Sequence, residues 1–149
     1  MLNGFCGDGG LQVNSRDQWK ESNIPRAILY AVVKNENDKT LHLCKKNEEG
    51  QEVCKLPHII CSNRSEPINQ IISGLHAQTG IWADPGEPTY VGMEKIVFDE
   101  QEFEVPTYEI EMKYQKVENE KEPKVWLAKG FSEFKWKKNS YFANLNLNP

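Results

Sequence analysis

The sequence predicts an α+β domain with a mixed β-sheet, and three observations carry that prediction. A single segment with helical spacing, opening at Ser65-Glu66-Pro67 and stopping at Gly80, stands among five or six segments of strand character. The chain has 149 residues, the size of one domain with one core. Four Trp, six Phe and five Tyr supply aromatic bulk that a disordered chain lacks.

Taken in order, residues 1–24 read as an irregular N-terminal extension, rich in turn-forming stretches such as GDGG and NSRD. The domain then runs over residues 25–143, and residues 144–149 form a polar, Asn-rich tail. RAILYAVVK is rich in β-branched and aromatic residues and suits a buried strand. NEND turns the chain into KTLHLCKK, so the two segments are expected to form a hairpin. EEGQ is a second turn, and EVCKLPHIIC follows it as a short strand limited by Pro57 to an edge or a bend.

The helix is the most legible element. Ile68, Ile71, Ile72 and Leu75 recur at i, i+3, i+4 and i+7 and define its buried stripe. Pro67 sits in the first turn, where its missing N–H costs nothing, Ser65 is read as the N-terminal cap, and Gly80 is the expected stop. Gly74 inside the helix is unfavourable by about 1 kcal/mol relative to alanine, and its expected reason is close packing against a neighbour. Strand patterns resume in TYVGMEKIVFDE, FEVPTYEIEMKY and PKVWLAKG, with Trp126 expected in the core. In FEVPTYEIEMKY the apolar parity shifts after Pro106, so a bulge or bend is expected there. FSEFKWKKNSYFANL reads as a short strand or turn leading into a weak terminal helix.

Cys6, Cys44, Cys54 and Cys61 contain no CxxC pair. A zinc set drawn from the last three with His42 or His58 would have irregular spacing, so no metal is expected. A disulfide framework is not expected either, because the chain is large enough to fold without staples. The N-terminus lacks a basic and apolar leader, and no run approaches the roughly 20 apolar residues that cross a bilayer. The expectation is a protein of the cytoplasm or another intracellular compartment, with no membrane partner. The formal charge of -4 argues against general nucleic-acid binding, but its distribution is uneven. Residues 84–111 hold nine acids against Lys95 alone, and residues 113–138 hold eight lysines against four glutamates.

From Ile24 to Phe142 the order of elements resembles the Nudix hydrolase family. The residues that carry the resemblance are LPHIICSNRSEPINQIISGLHAQTGI, Leu56 to Ile81, and EFKW, Glu133 to Trp136. The resemblance implies a Nudix-like α/β/α sandwich with a mixed β-sheet. It also implies a scaffold stripped of its chemistry. With Gly80 as the anchor, the family's loop glycines fall on His58 and Ile59, its early glutamate on Ser65, its arginine-glutamate pair on Ser73 and Gly74, and its paired glutamates on Ala77 and Gln78. Hydrolysis of a phosphoanhydride there requires Mg²⁺ held by helix carboxylates, and the segment from Pro67 through Gly80 contains none.

The expected function is therefore a non-catalytic Nudix-like binding or scaffold module within a protein or ribonucleoprotein assembly, with no cofactor and no catalytic residue. A protein partner leads; RNA or a nucleotide is the other ligand class. The alternatives are a divergent hydrolase of nucleoside diphosphate derivatives, drawing on Glu66, Glu94, Glu109, Glu111 or Glu133, and a nucleotide or RNA binder without turnover. The candidate ligand-binding residues are His58, in the loop that cradles phosphate in the family, and Lys135, Trp136, Lys137 and Lys138, which combine an aromatic face with positive charge.

Overall fold

The structure is a computed structural model and describes residues 20–116, 120 and 122–138. Most of the N-terminal extension, the expected terminal helix and the tail lie outside these residues; residues 20–23 are helical. Seven strands and one helix follow: β1 Ala27–Val32, β2 Lys39–Lys46, β3 Glu52–Lys55, β4 His58–Cys61, α1 Pro67–Thr79, β5 Ala83–Phe98, β6 Gln101–Tyr114 and β7 Glu133–Lys138. They build the expected α+β architecture.

The strands form two sheets, one of order β4-β1-β6-β5 and one of order β3-β2-β7. In the first, β1 runs parallel to β6 and antiparallel to β4, which makes it mixed. The core lies between the two sheets and α1, with Leu29, Ala31, Leu41, Leu43, Ile110 and Met112 meeting Ile71 and Leu75 of the helix.

The expected β1-β2 hairpin does not form as a continuous ladder. Pairing is limited to a bridge between Lys34 and Thr40, flanked by the Asn35 N–H to Lys39 C=O and Leu41 N–H to Val33 C=O bonds, both of 2.9 Å, after which the strands enter different sheets. Both are buried, so each needs its own covering layer. The shift in β6 also has a different origin from the one expected. Its partner β5 carries the irregularity, between Tyr90 and Gly92, and Gly92 pairs with Thr107. There β6 passes from burying Val105 and Thr107 on one side to burying Ile110 and Met112 on the other.

PKVWLAKG is not a strand: Trp126 N–H and Ala128 N–H donate to the carbonyls of Thr79 and Gln78, at 2.8 and 3.0 Å. These bonds satisfy carbonyls that the end of a helix leaves open. Trp126 consequently lies across Gly80 instead of entering the core, and it is 72% exposed. Gly80 stops the helix as expected, with φ 76° and its N–H on the His76 carbonyl at 2.7 Å.

Cys44 and Cys54 form a disulfide, which corrects the expectation that no such bond is present. The cause is register, because the two residues stand directly opposite each other on β2 and β3. Cys61 is a free, buried thiol whose pKa is pushed up by burial to about 11, which leaves it an inert core residue.

Candidate functional site

Helix α1 is set against β4, and the loop between them fixes what the helix face can present. Glu66, not Ser65, is the N-cap residue, and no side chain caps the helix. The buried Gln70 organises the loop instead: its Nε2 donates to the carbonyls of Ser62 and Ser65 at 2.8 and 2.7 Å, and its Oε1 accepts from Ser62 N–H at 3.1 Å. That demand turns the helix so that Gln70, Ile71, Leu75 and Thr79 face inward. Ile72 is partly buried against the core, and Ile68 is left 57% exposed, which removes it from the expected stripe.

Along the other face of α1 runs a cleft of about 390 Å³ lined by Ile59, Arg64, Ser65, Asn69, Ser73, Gly74 and Ala77, with Gln70 at its base. Five of the positions matched to the family's motif, namely Ile59, Ser65, Ser73, Gly74 and Ala77, therefore converge on one place. Arg64 is the charged residue of that lining. Its guanidinium donates to Ser62 Oγ at 3.0 Å and to Gln70 Oε1 at 3.4 Å. The donor set consists of hydroxyls and amides beside a cation, and it does not fit Mg²⁺, which needs hard, charged oxygen ligands.

Two contacts close this face. The side chain of Ile59 occupies the space that a Cβ on Gly74 would need, so close packing is the reason for the glycine, as expected. Gln78 Nε2 donates to the His58 carbonyl at 2.8 Å. An ionised glutamate at 78 has no proton to offer that carbonyl. The residues at two hydrolytic positions thus serve as a shape complement and a cross-link between helix and loop.

On the far side of His58 lies a second cavity, of about 410 Å³. Leu43, Val53, Leu56, Pro57 and Phe131 give it an apolar floor, and Lys45, Lys46 and Lys55 give it positive charge. None of these three lysines is ion-paired among the described residues. They were missed as candidates because they are spread over two strands; the CKK and VCK runs flanking the EEGQ turn were the available signal.

His58 borders this cavity and is partly buried, with its ring centroid 5.1 Å from that of Tyr30. Tyr30 OH donates to Glu94 Oε1 at 3.2 Å. Burial, with smaller effects from Lys55 and Lys45, holds the His58 pKa below its ordinary value, and burial does the same at His42. The unfolded chain therefore protonates first, at about pH 6.5, so stability present above that pH is lost as the pH falls. The urea midpoint is expected to drop between pH 7.5 and 5.5, and to drop less in His58→Gln. An equal drop in both proteins would remove His58 from this account.

The predicted basic patch is divided by the pleat of β7. Lys135 is paired with Glu52 at 2.6 Å and with Glu133 at 3.8 Å. Trp136, on the opposite face, packs against the core with its Nε1 buried. Lys137 and Lys138 are exposed at the edge of the sheet. The five carboxylates considered as replacements do not gather: Glu94 is bonded to Tyr30, Glu133 faces Lys135, and Glu66, Glu109 and Glu111 belong to other surfaces.

No family profile and no curated protein matches this chain. Solved structures do. The chain is similar to a MutT protein from Methanosarcina mazei Go1, with 19% identity, a TM-score of 0.51, and 77% of this chain and 78% of that chain covered. It is similar to a Nudix hydrolase from Nitrosomonas europaea, with 12% identity, a TM-score of 0.53 and coverage of 83% and 77%. An ADP-ribose pyrophosphatase from Streptococcus suis 89-1591 aligns at 11% identity with a TM-score of 0.50 and coverage of 76% and 74%. The fold of this chain is the Nudix fold.

Proposed function

We propose that this chain is a Nudix-fold binding module that holds a phosphorylated ligand without hydrolysing it, as part of a protein or ribonucleoprotein assembly. The observation that carries this reading is the cleft along α1, where the motif-matched positions meet and present Ile59, Ser73, Gly74 and Ala77 beside Arg64. Charge on a transferring phosphoryl group must be neutralised at fixed positions, and a metal without carboxylate ligands is not held there. Binding needs less. Lys45, Lys46 and Lys55 supply positive charge above an apolar floor, which suits a nucleotide or an RNA terminus with a phosphate and a base.

Two measurements on the purified protein test the reading. Release of phosphate or nucleotide from a panel of nucleoside diphosphate derivatives, with Mg²⁺ or Mn²⁺, is expected to stay at background. Metal-dependent turnover at about 1 per second, the low end of ordinary enzymes, would overturn it. Calorimetric titration with nucleoside diphosphates and 5′-phosphorylated RNA is expected to show binding that weakens with salt and falls at least about tenfold in Lys45→Ala/Lys55→Ala. Absence of binding to both ligand types would leave a protein surface as the reading to pursue.

A further inference from the structure

We propose that Cys44, Cys54 and Glu52 form a site for a thiophilic divalent cation of the zinc class, which becomes available when the Cys44–Cys54 disulfide is reduced. The site lies on the face of the three-stranded sheet that carries Thr40, His42 and Cys44 of β2. Side chains alternate across a strand, so Leu43, Lys45, Val53 and Lys55 share one face and Cys44, Lys46, Glu52 and Cys54 the other; of the latter four, Lys46 at the end of β2 also lines the lysine cavity, and the two cysteines and Glu52 do not. The proposal is therefore independent of the binding reading above.

The geometry comes from register. Cys44 stands opposite Cys54, and Glu52 follows on the same face of β3, two residues away. One ligand atom from each of the three lies within 4.8 Å of the others, and among the described residues no other set of three histidine, cysteine or acidic groups is that close. Zinc with sulfur at about 2.3 Å and carboxylate oxygen at about 2.1 Å places its ligand atoms roughly 3.6–3.8 Å apart in a tetrahedron. Once the sulfurs separate, rotation about side-chain bonds is sufficient to reach that spacing. The fourth position is left to water.

Charge favours the same set. Two thiolates and a carboxylate carry three negative charges against the two positive charges of the cation, and Lys135, 2.6 Å from Glu52 Oε1 and 3.8 Å from Glu133 Oε1, adds positive charge beside the set. A partner of this kind also fixes the orientation of a ligating carboxylate. Cys44 is fully buried, whereas Cys54 is half-buried and Glu52 is exposed, so ion and reductant approach from the β3 edge.

A dithiol reductant is sufficient for the reduction. One of its thiolates attacks Cys54 Sγ and expels Cys44 as thiolate; its second thiolate then expels Cys54 and leaves as a disulfide. Two electrons and two protons have been transferred to the cysteine pair. Cation binding releases those two thiol protons to solvent.

The test uses the full chain, reduced with a phosphine, desalted without oxygen and titrated with Co²⁺ as the spectroscopic probe. One equivalent is expected to bind with a thiolate-to-cobalt charge-transfer band that Zn²⁺ displaces, and the oxidised protein should show no band. Cys54→Ser is expected to abolish the band, and Glu52→Gln to weaken binding by about tenfold or more. Both changes avoid the buried Cys44, and circular dichroism checks their folding. If Cys54→Ser does not fold, the oxidised-reduced comparison and Glu52→Gln decide. A reduced protein that unfolds, a missing band at one equivalent, a band retained in Cys54→Ser, or unchanged affinity in Glu52→Gln would each overturn the assignment.

Discussion

Leu75→Ala and Ile71→Ala are each expected to destabilise the protein by about 2–5 kcal/mol, while Ile68→Ala stays within about 0.5 kcal/mol of the parent. Leu75 and Ile71 are each 1% exposed and packed into the cluster shared by both sheets, so truncation leaves a cavity that surrounding strands cannot fill. Ile68 is 57% exposed in the first turn of the helix and has little packing to lose. Urea unfolding gives the three values directly. At about 2–4 °C per kcal/mol for a chain of this size, thermal melting separates the first two variants clearly from the third. A loss for Ile68 equal to that for Leu75 would mean that the helix is rotated from the orientation described.

The same helix shows how much of the fold the sequence could reveal. Its limits and its Gly80 stop depend on local chemistry, on proline at the start and a left-handed residue at the end, and they were legible. Its orientation was only partly so. Four aliphatic residues define a broad stripe, and the buried position taken by Gln70 depends on the carbonyls of Ser62 and Ser65, which belong to the loop's three-dimensional path. Partner choice among strands was illegible for a related reason. The turn between β1 and β2 announces a hairpin, yet β1 pairs with β6, whose nearest paired residue, Thr107, lies 75 positions after Val32.

The disulfide was readable in principle. Cys44 and Cys54 are both five residues from Glu49 in the EEGQ turn, and a hairpin centred there places them opposite each other. The lysine cavity needed the same step, since Lys45 and Lys55 meet only after β2 and β3 are paired. By contrast, the KWKK run was conspicuous in the sequence but is split by the alternation of a strand, which turns Trp136 inward and gives Lys135 to Glu52. Residues adjacent in sequence are not adjacent on a sheet face.

Restoring two of the family's glutamates, by Gly74→Glu and Gln78→Glu together, is expected to cost stability without producing hydrolysis. At position 74 a side chain must displace Ile59, which sits on β4 with a branched Cβ and little rotamer freedom. Overpacking of this kind costs about 1–3 kcal/mol, more than the roughly 1 kcal/mol gained by removing a helix-interior glycine. At position 78 the donor to the His58 carbonyl is lost, and a carboxylate facing that carbonyl leaves it unsatisfied at a cost of about 1–3 kcal/mol. The cost at 78 has a pH signature. A carboxyl group there donates a proton only when it is neutral, so folding raises its pKa, and its stabilising contribution is present at low pH and lost as the pH rises through that value. Adding Ile59→Gly should recover the steric part at position 74 and leave the part at 78 unchanged, which a double-mutant cycle in urea separates. The two sites lie on one helix face but have different partners, Ile59 for one and the His58 carbonyl for the other. If Gly74→Glu were neutral alone and insensitive to Ile59→Gly, the complementarity between loop and helix would not be what excludes the glutamate. If the restored protein gained metal-dependent turnover, the loop would retain the form needed for catalysis, and the chain would be one or two substitutions from an enzyme.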